Sequence, residues 1–556
     1  MKKIYSITLL LSLVGSQVFG QSNFTVQNQS TSVTITPSGS RFNRPLTTNN
    51  EFNTAIGRDA LNPATTGTFN TALGIASLQA NTAGNHNVGL GHASLISNTI
   101  GSANTAVGTS AMYNNSTGAS NAAFGYNAMQ TNTSGGQNVA LGRESLFSNT
   151  TGTGNVAAGH QSLYSNSTGY DNIAIGRVAL YTNTTGYYNT AIGEGALQLN
   201  TIGFRNLAAG SGALTSNISG SYNTALGVDA LFYNTTGSNN VASGQRALYN
   251  NTTGGDNVAG GFETMFTNTT GYGNFASGTH ALYTNTVGYA NVALGYNSLE
   301  KNISGSQNIA IGPYALNANT TASNNIAMGL RAMFLSNGGI NNNAIGFEAM
   351  YNNTTGSRNV AMGVYALTGN TTGTGNVGIG EGANAGNTTG SNNIAIGYNA
   401  NVPNGAASNQ IRLGDAAITY AGIQVAWTIT SDKRWKENIK SSGLGLDFIK
   451  AVKPVQYTRI NDVNKQIEYG VIAQELEKTL KDFNVSNAGI LSKDDKGFYS
   501  VRYNDFIAPL IKAVQEQQAM IEKLNSENAS LKGLFASLQE QIDGLKTSSK
   551  ATVSEK

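Results

Sequence analysis

Asn189-Thr-Ala-Ile-Gly193-Glu-Gly-Ala-Leu197-Gln-Leu-Asn-Thr-Ile-Gly203-Phe-Arg205 is one unit of a pattern that fills most of the chain. From Gly57 onward, every seventeenth residue is glycine: Gly74, Gly91, Gly108 and so on to Gly397 and Gly414. That makes 22 positions without an insertion or a deletion. Four residues before each stands asparagine, from Asn53 to Asn393, and only the last unit substitutes Gln410. Four residues after comes Leu or Met, from Leu61 to Leu367. Ten residues after, glycine usually returns, as at Gly152, Gly186 and Gly254.

The chemistry of one unit is readable from its side chains. The NTAIG and NIAIG segments carry small and β-branched residues and predict short strands. The leucine that follows is the largest recurring apolar side chain and is expected to point inward. The NTTG segment predicts a turn, with Asn and Gly at positive φ. One unit is too small to fold alone. Stacked units pair strand on strand and bury Ala and Leu in a continuous column. The repeated Asn is expected to form a ladder of side-chain amides. An unbroken period suits such a ladder, because one extra residue would break the register. At about 4.8 Å per rung, 22 rungs predict a rod of roughly 100 Å.

Composition agrees with repetition rather than several globular cores. The 556 residues include 67 Gly, 7 Pro and no Cys, and 11% are charged. Length alone suggests three or four domains, but large apolar side chains are too few to build them. Disulfide and cysteine-ligated metal frameworks are excluded. Collagen is excluded by the scarcity of proline. A net charge of +3 argues against a long nucleic-acid groove. The four histidines, His86, His92, His160 and His280, do not recur in register and read as surface substitutions. No metal or cofactor site is expected. Charges such as Arg58, Asp59, Arg143 and Glu144 follow the phase glycine and read as a solvated corner.

The NIAIG unit with its small-residue turn resembles the head repeats of trimeric autotransporter adhesins. The resemblance covers roughly residues 50–415 and implies a left-handed parallel β-roll assembled as a trimer. The 17-residue period departs from the shorter unit common in those heads.

Residues 1–20 read as a secretory leader. Lys2 and Lys3 precede the apolar run Ile4 to Val14, and Val18 and Gly20 are the small residues before a cut at Gln21. That run is too short to span a bilayer, and no later stretch is long enough. The expected protein is exported, secreted or at a cell surface, with residues 21–52 as an N-terminal cap.

Past Gly414 the composition changes. Residues 415–430 show strand-like alternation around Ile423, Val425 and Trp427, and 431–556 hold 36 of the 61 charged residues. The string Ser431-Asp-Lys-Arg-Trp-Lys-Glu-Asn-Ile439 resembles the start of the C-terminal intramolecular chaperone of phage tail fibres and endosialidase tailspikes. Ser431, Asp432, Arg434, Lys436, Asn438 and Ile439 meet that family's pattern. Pro454-Val-Gln-Tyr457, Gly470-Val-Ile-Ala-Gln-Glu475 and Val501-Arg-Tyr503 follow in the family's order. The resemblance implies a self-cleaving serine endopeptidase acting only on its own chain. Ser431 is its nucleophile, Lys436 its base and Thr430–Ser431 the cut bond, with Asp432, Arg434 and Asn438 as supporting motif residues. A serine hydroxyl needs a base, and lysine serves only when deprotonated.

From Ile507 a heptad seam runs to Leu545. One position holds Ile507, Val514, Ile521, Asn528, Phe535 and Ile542. The other holds Leu510, Gln517, Leu524, Leu531, Leu538 and Leu545. β-Branched residues at the first position with Leu at the second favour two strands, whereas the family resemblance implies three. A single amphipathic helix packed on its own domain is the alternative.

The expected architecture is mainly β. A long parallel β-solenoid or β-roll over 53–414 is followed by a small α+β chaperone domain over 431–506. A coiled coil over 507–546 and a disordered tail over 547–556 complete it. The expected function is a homotrimeric, adhesin-like fibre whose C-terminal domain directs trimerisation and cuts itself off before Ser431. A cell-surface, glycan or matrix target is its expected partner, with no nucleic acid. The alternatives are a fibre that retains its chaperone domain, a polysaccharide-degrading rod or an ice-binding solenoid. Sparse acids without paired carboxylates speak against the second, and the third rests on threonines in the turns.

Overall fold

The computed structural model describes residues 52–553, apart from 426, 461, 487, 488 and 495. The leader, nearly all of the N-terminal cap and residues 554–556 lie outside the described residues. The chain divides into two compact units between Asn392 and Asn393, inside the repeats.

The first unit is a parallel β-solenoid. Twenty strands of three residues, β1 (Thr54–Ile56) to β20 (Val377–Ile379), each contribute one rung. Successive strands pair in parallel and in strict register, Ala55 against Ala72 and Ala208 against Ala225. The middle residue of each strand is buried and its neighbours face out. Small alanines and the leucine four residues after each phase glycine form one continuous core, Ala191, Ala196 and Leu197 among them.

Backbone geometry explains the residue choices, and it corrects the expected turn chemistry. The positive φ values fall at Gly193 (133°), Gly195 (67°), Leu197 (51°) and Arg205 (55°), not at Asn200 or Gly203. Leucine at positive φ is rare. It recurs here because bending the backbone at that point aims the side chain into the column, where burial repays about 2 kcal/mol. Gly203 is required for space instead. A Cβ there would overlap the Gly220 carbonyl oxygen and the amides of Asn200 and Asn217. Gly193 is required on both counts, since its Cβ would overlap the Gly210 carbonyl.

Two asparagine ladders climb the core. The Asn before the strand forms the first: Asn206 N donates to Asn189 Oδ1 at 3.0 Å, and Asn189 Nδ2 donates to Gly203 O at 2.8 Å. The Asn read as a turn residue forms the second. Asn200 Nδ2 lies 2.8 Å from Asn183 Oδ1 and 3.0 Å from Gly203 O, and Asn217 Nδ2 reaches Asn200 Oδ1 at 2.8 Å. Both ladders therefore converge on the carbonyl of the second glycine. The threonine beside the second ladder is committed too. The hydroxyls of Thr184, Thr201 and Thr235 each donate to a carbonyl one rung on. That column offers no free donor array to a lattice.

Where the second ladder carries Ser336 instead of Asn, Ser336 Oγ and Asn319 Oδ1 are buried without a hydrogen-bond partner. Ser336→Asn is expected to supply the missing donor and stabilise those rungs by about 1–3 kcal/mol. The thermal midpoint should rise, with slower amide exchange around residues 319–353. A lower midpoint would show that the site cannot accept the amide.

Outward residues flanking the buried Ala form two columns along the sheet. They are strongly apolar and include Leu141 (43% exposed), Ile175 (42%) and Ile192 (44%). No Asp, Glu, Lys or Arg occupies either column in any of the rungs. Charges sit at the corner after the phase glycine, where Arg177 pairs with Glu194, and Arg246 with Glu263 at 3.3 Å, one rung apart. His86, His92 and His160 are exposed, and half-buried His280 lies 3.3 Å from Glu263.

The second unit opens with two more rungs, β21 (Ile394–Ile396) and β22 (Ile411–Leu413), paired in parallel. Gln410 takes the asparagine position, and its N–H donates to Asn393 Oδ1 at 2.9 Å. The described residues of 415–430 carry no strand in the single chain, although strand-like alternation is present. No neighbouring strand pairs with them, and Val425 and Trp427 are largely exposed.

Beyond them lie α1 (Leu446–Ala451), the antiparallel pair β23 (Pro454–Tyr457) and β24 (Glu468–Val471), and α2 (Ala473–Asp482). The pair β25 (Leu491–Lys493) and β26 (Tyr499–Val501) follows, then α3 (Ile507–Val553). Phe448, Leu476, Leu480 and Ile490 make their core, with Phe483, Val501 and Phe506 packed on it. α3 is a single helix of 47 residues that runs past 546 to Val553. Its first turns dock on the domain through Ala513, which is buried, and through Glu516 and Lys512. Glu516 Oε2 accepts from Leu446 N at 2.6 Å, satisfying the first turn of α1, which has no side-chain cap of its own. Lys512 Nζ donates to Ser442 O at 2.6 Å. The heptad seam faces elsewhere, with Val514 62%, Leu524 56% and Phe535 69% exposed.

Candidate functional site

The residues between β22 and α1 carry the strongest sequence motif. Lys433–Trp435 form one 3-10 turn, capped at its N-terminus by Asp432. The Asp432 carboxylate accepts from Arg434 N at 2.8 Å and from the Arg434 guanidinium at 2.7–3.2 Å. This bidentate pair folds the segment back on itself. Side-chain and then backbone hydrogen bonds from Arg434 hold the Asp432 carboxyl below its usual range, and Asp432 in turn raises Arg434. Both groups are therefore charged at neutral pH.

Folding the segment back brings its two ends together. Lys436 Nζ donates to Ser431 Oγ at 2.6 Å. Asn438 adopts φ 55°, a left-handed conformation that Asn tolerates better than most residues, and this turns the chain out of the motif. Ser431, Lys436, Thr430 and Asn438 are all exposed, as are Trp435 (83%) and Ile439. In one chain the motif is thus assembled but wet. No histidine occurs in 431–556, and no group of His, Cys, Asp or Glu able to hold a metal is found among the described residues.

The remaining motifs cluster on the small domain. Pro454–Tyr457 pairs directly with Glu468–Val471, Tyr457 against Glu468. Tyr503 Oη accepts from Val471 N at 3.1 Å, and a Cβ on Gly470 would overlap that hydroxyl. Motifs far apart in sequence thereby make one packing unit. Sequence reading missed Glu516 and Lys512, the side chains that fasten α3 to α1. Their i, i+4 spacing looks like an ordinary solvated helix pair, and only the fold brings Leu446 and Ser442 to them.

The segment that carries this geometry matches a known family. Residues 431–484 match the Peptidase S74 family, chaperone of endosialidase. A β-solenoid structural protein carrying a C-terminal endosialidase-type chaperone domain is the class that fold and match define. The domain's core extends past the matched residues, through Ile490 to Phe506. No curated protein and no solved structure matches the chain. No helix among the described residues is long and apolar enough to cross a membrane.

Proposed function

We propose that the chain is an exported, homotrimeric fibre whose C-terminal domain trimerises first, sets the register of the rod and then cuts itself off before Ser431. The observation that carries the reading is the 2.6 Å approach of Lys436 Nζ to Ser431 Oγ at the first residue of the family match. Ser431 Oγ attacks the Thr430 carbonyl carbon, and Lys436 takes the hydroxyl proton. The Thr430–Ser431 C–N bond breaks as an ester forms, and the proton passes to the leaving amine. Water then hydrolyses the ester, leaving a carboxylate on Thr430 and restoring the Ser431 hydroxyl.

Lysine accepts a proton only as the neutral amine. Burial against neighbouring copies favours that form. Cleavage is therefore coupled to assembly. The uncovered seam of α3 supports association as a coiled coil. Twenty or more near-identical rungs admit register slips, so a domain that aligns three chains before the rod closes has a physical task. Its loss leaves the rod kinetically locked. A cell-surface, glycan or matrix target for the rod belongs to this reading.

Sedimentation equilibrium of the full chain carrying Ser431→Ala, which keeps both parts covalently joined, is expected to give the trimer mass. A monomer mass would overturn the assembly reading. Truncation after Val514 removes most of the seam and is expected to reduce both trimer content and cleavage.

A further inference from the structure

The two outward columns of the rod hold only two phenylalanines in all their rungs. Each shares its rung with a small residue. In β5 (Ala122–Phe124), Ala122 and Phe124 flank the buried Ala123, and in β14 (Phe275–Ser277), Phe275 and Ser277 flank Ala276. The arrangement is reversed between the two rungs: the large residue follows the buried alanine in one and precedes it in the other. Phe124 and Phe275 are 41% and 45% exposed in the single chain. Along each column these rings have larger neighbours than the alanine or serine in their own rung, Val107 and Leu141 beside Phe124, Val258 and Val292 beside Phe275.

We infer that Phe124 and Phe275 are register keys, each filling the space left by Ala122 and Ser277 of an adjacent copy of this chain at the same rung. The inference rests on the proposed trimer. Around a threefold axis parallel to the rod, each three-residue strand forms one side of a triangle. Threefold contacts are head-to-tail, so the end of one strand meets the start of the next copy's strand. The column after the buried alanine therefore packs on the column before it. In register, Phe124 meets Ala122 and Phe275 meets Ser277. A slip by one rung sets Phe124 against Thr105 or Val139, and in one direction it also sets Phe275 against Leu294; overfilled contacts of that kind are unfavourable. In the other direction Phe275 meets Gly260, so Phe124 alone opposes that slip. The uncharged, apolar character of both columns suits a face covered by identical copies and not by solvent.

The chain has no cysteine, so engineered thiols report register without interference. In the full chain carrying Ser431→Ala, the same-rung pair Thr105→Cys with Val107→Cys is expected to give disulfide-linked trimers on oxidation. The offset pair Val88→Cys with Val107→Cys is expected to give none. Adding Ala122→Phe and Ser277→Phe should lower same-rung cross-linking by about tenfold or more. Exchanging the residues within each rung, Ala122→Phe with Phe124→Ala and Phe275→Ser with Ser277→Phe, should restore it. Sedimentation of the same samples separates the two ideas. A trimer that cross-links through the offset pair, or is indifferent to the added rings, overturns the keys. A monomer overturns the assembly reading beneath them.

Discussion

Ser431→Ala is expected to leave the chain whole, and the unaltered protein is expected to yield a rod ending at Thr430 and a fragment of residues 431–556. The variant keeps the Asp432–Arg434 fold-back, which does not use the serine hydroxyl. It loses the proposed nucleophile, and cleavage should slow by about a thousandfold or more. Lys436→Ala should have the same effect, because no histidine in 431–556 can replace the base. Lys436→Arg should also fail, since guanidinium stays protonated. Asp432→Ala tests a different role. It removes the cap and ion pair that hold the turn, so it should slow cleavage without abolishing it. A denaturing gel of folded protein reads all four. Cleavage at the same bond in Ser431→Ala would remove Ser431 from the mechanism.

The second large effect belongs to the rod. Asn200→Asp exchanges one amide nitrogen for oxygen. The new oxygen would face Asn183 Oδ1 and Gly203 O, both acceptors that now receive a hydrogen from Asn200 Nδ2. Asn217 Nδ2 still donates to the other oxygen, but the new oxygen has no donor, and a buried charge left half-paired in this way costs about 3–5 kcal/mol. Burial among acceptors raises the folded-state pKa of the new carboxyl above its unfolded value of about 3.9. The deficit should therefore be largest at neutral pH and shrink as acid protonates the group, which can then donate again. Amide exchange in the rungs around residue 200 is expected to be fast at pH 7 and closer to that of the unaltered protein near pH 4. Equal exchange at both pH values would mean the ladder amide is not a required donor.

Different parts of this structure were legible to different degrees. The strand, the buried Ala and Leu and the first Asn column follow from a period that tolerates no insertion. The second ladder was hidden because Asn in an NTTG string matches a turn residue equally well. Only closure of the rung shows that Asn200 points inward and that Gly203 is needed for space. The positive φ of Leu197 runs against local preference and is imposed by the column it fills. Alternation at Ile423, Val425 and Trp427 is real, but a strand also needs a partner, and none pairs with it among the described residues. Motif order singled out Ser431 and Lys436 in the sequence, and their approach follows from the turn capped by Asp432. Glu516 and Lys512 escaped because their partners lie about seventy residues earlier.

Native mass measurement of the purified, unaltered protein tests the central claim most directly. The account predicts a complex of three rods, each ending at Thr430, with residues 431–556 recovered as a separate species. A single uncut chain, folded and with its rungs protected from exchange, would contradict both assembly and self-cleavage.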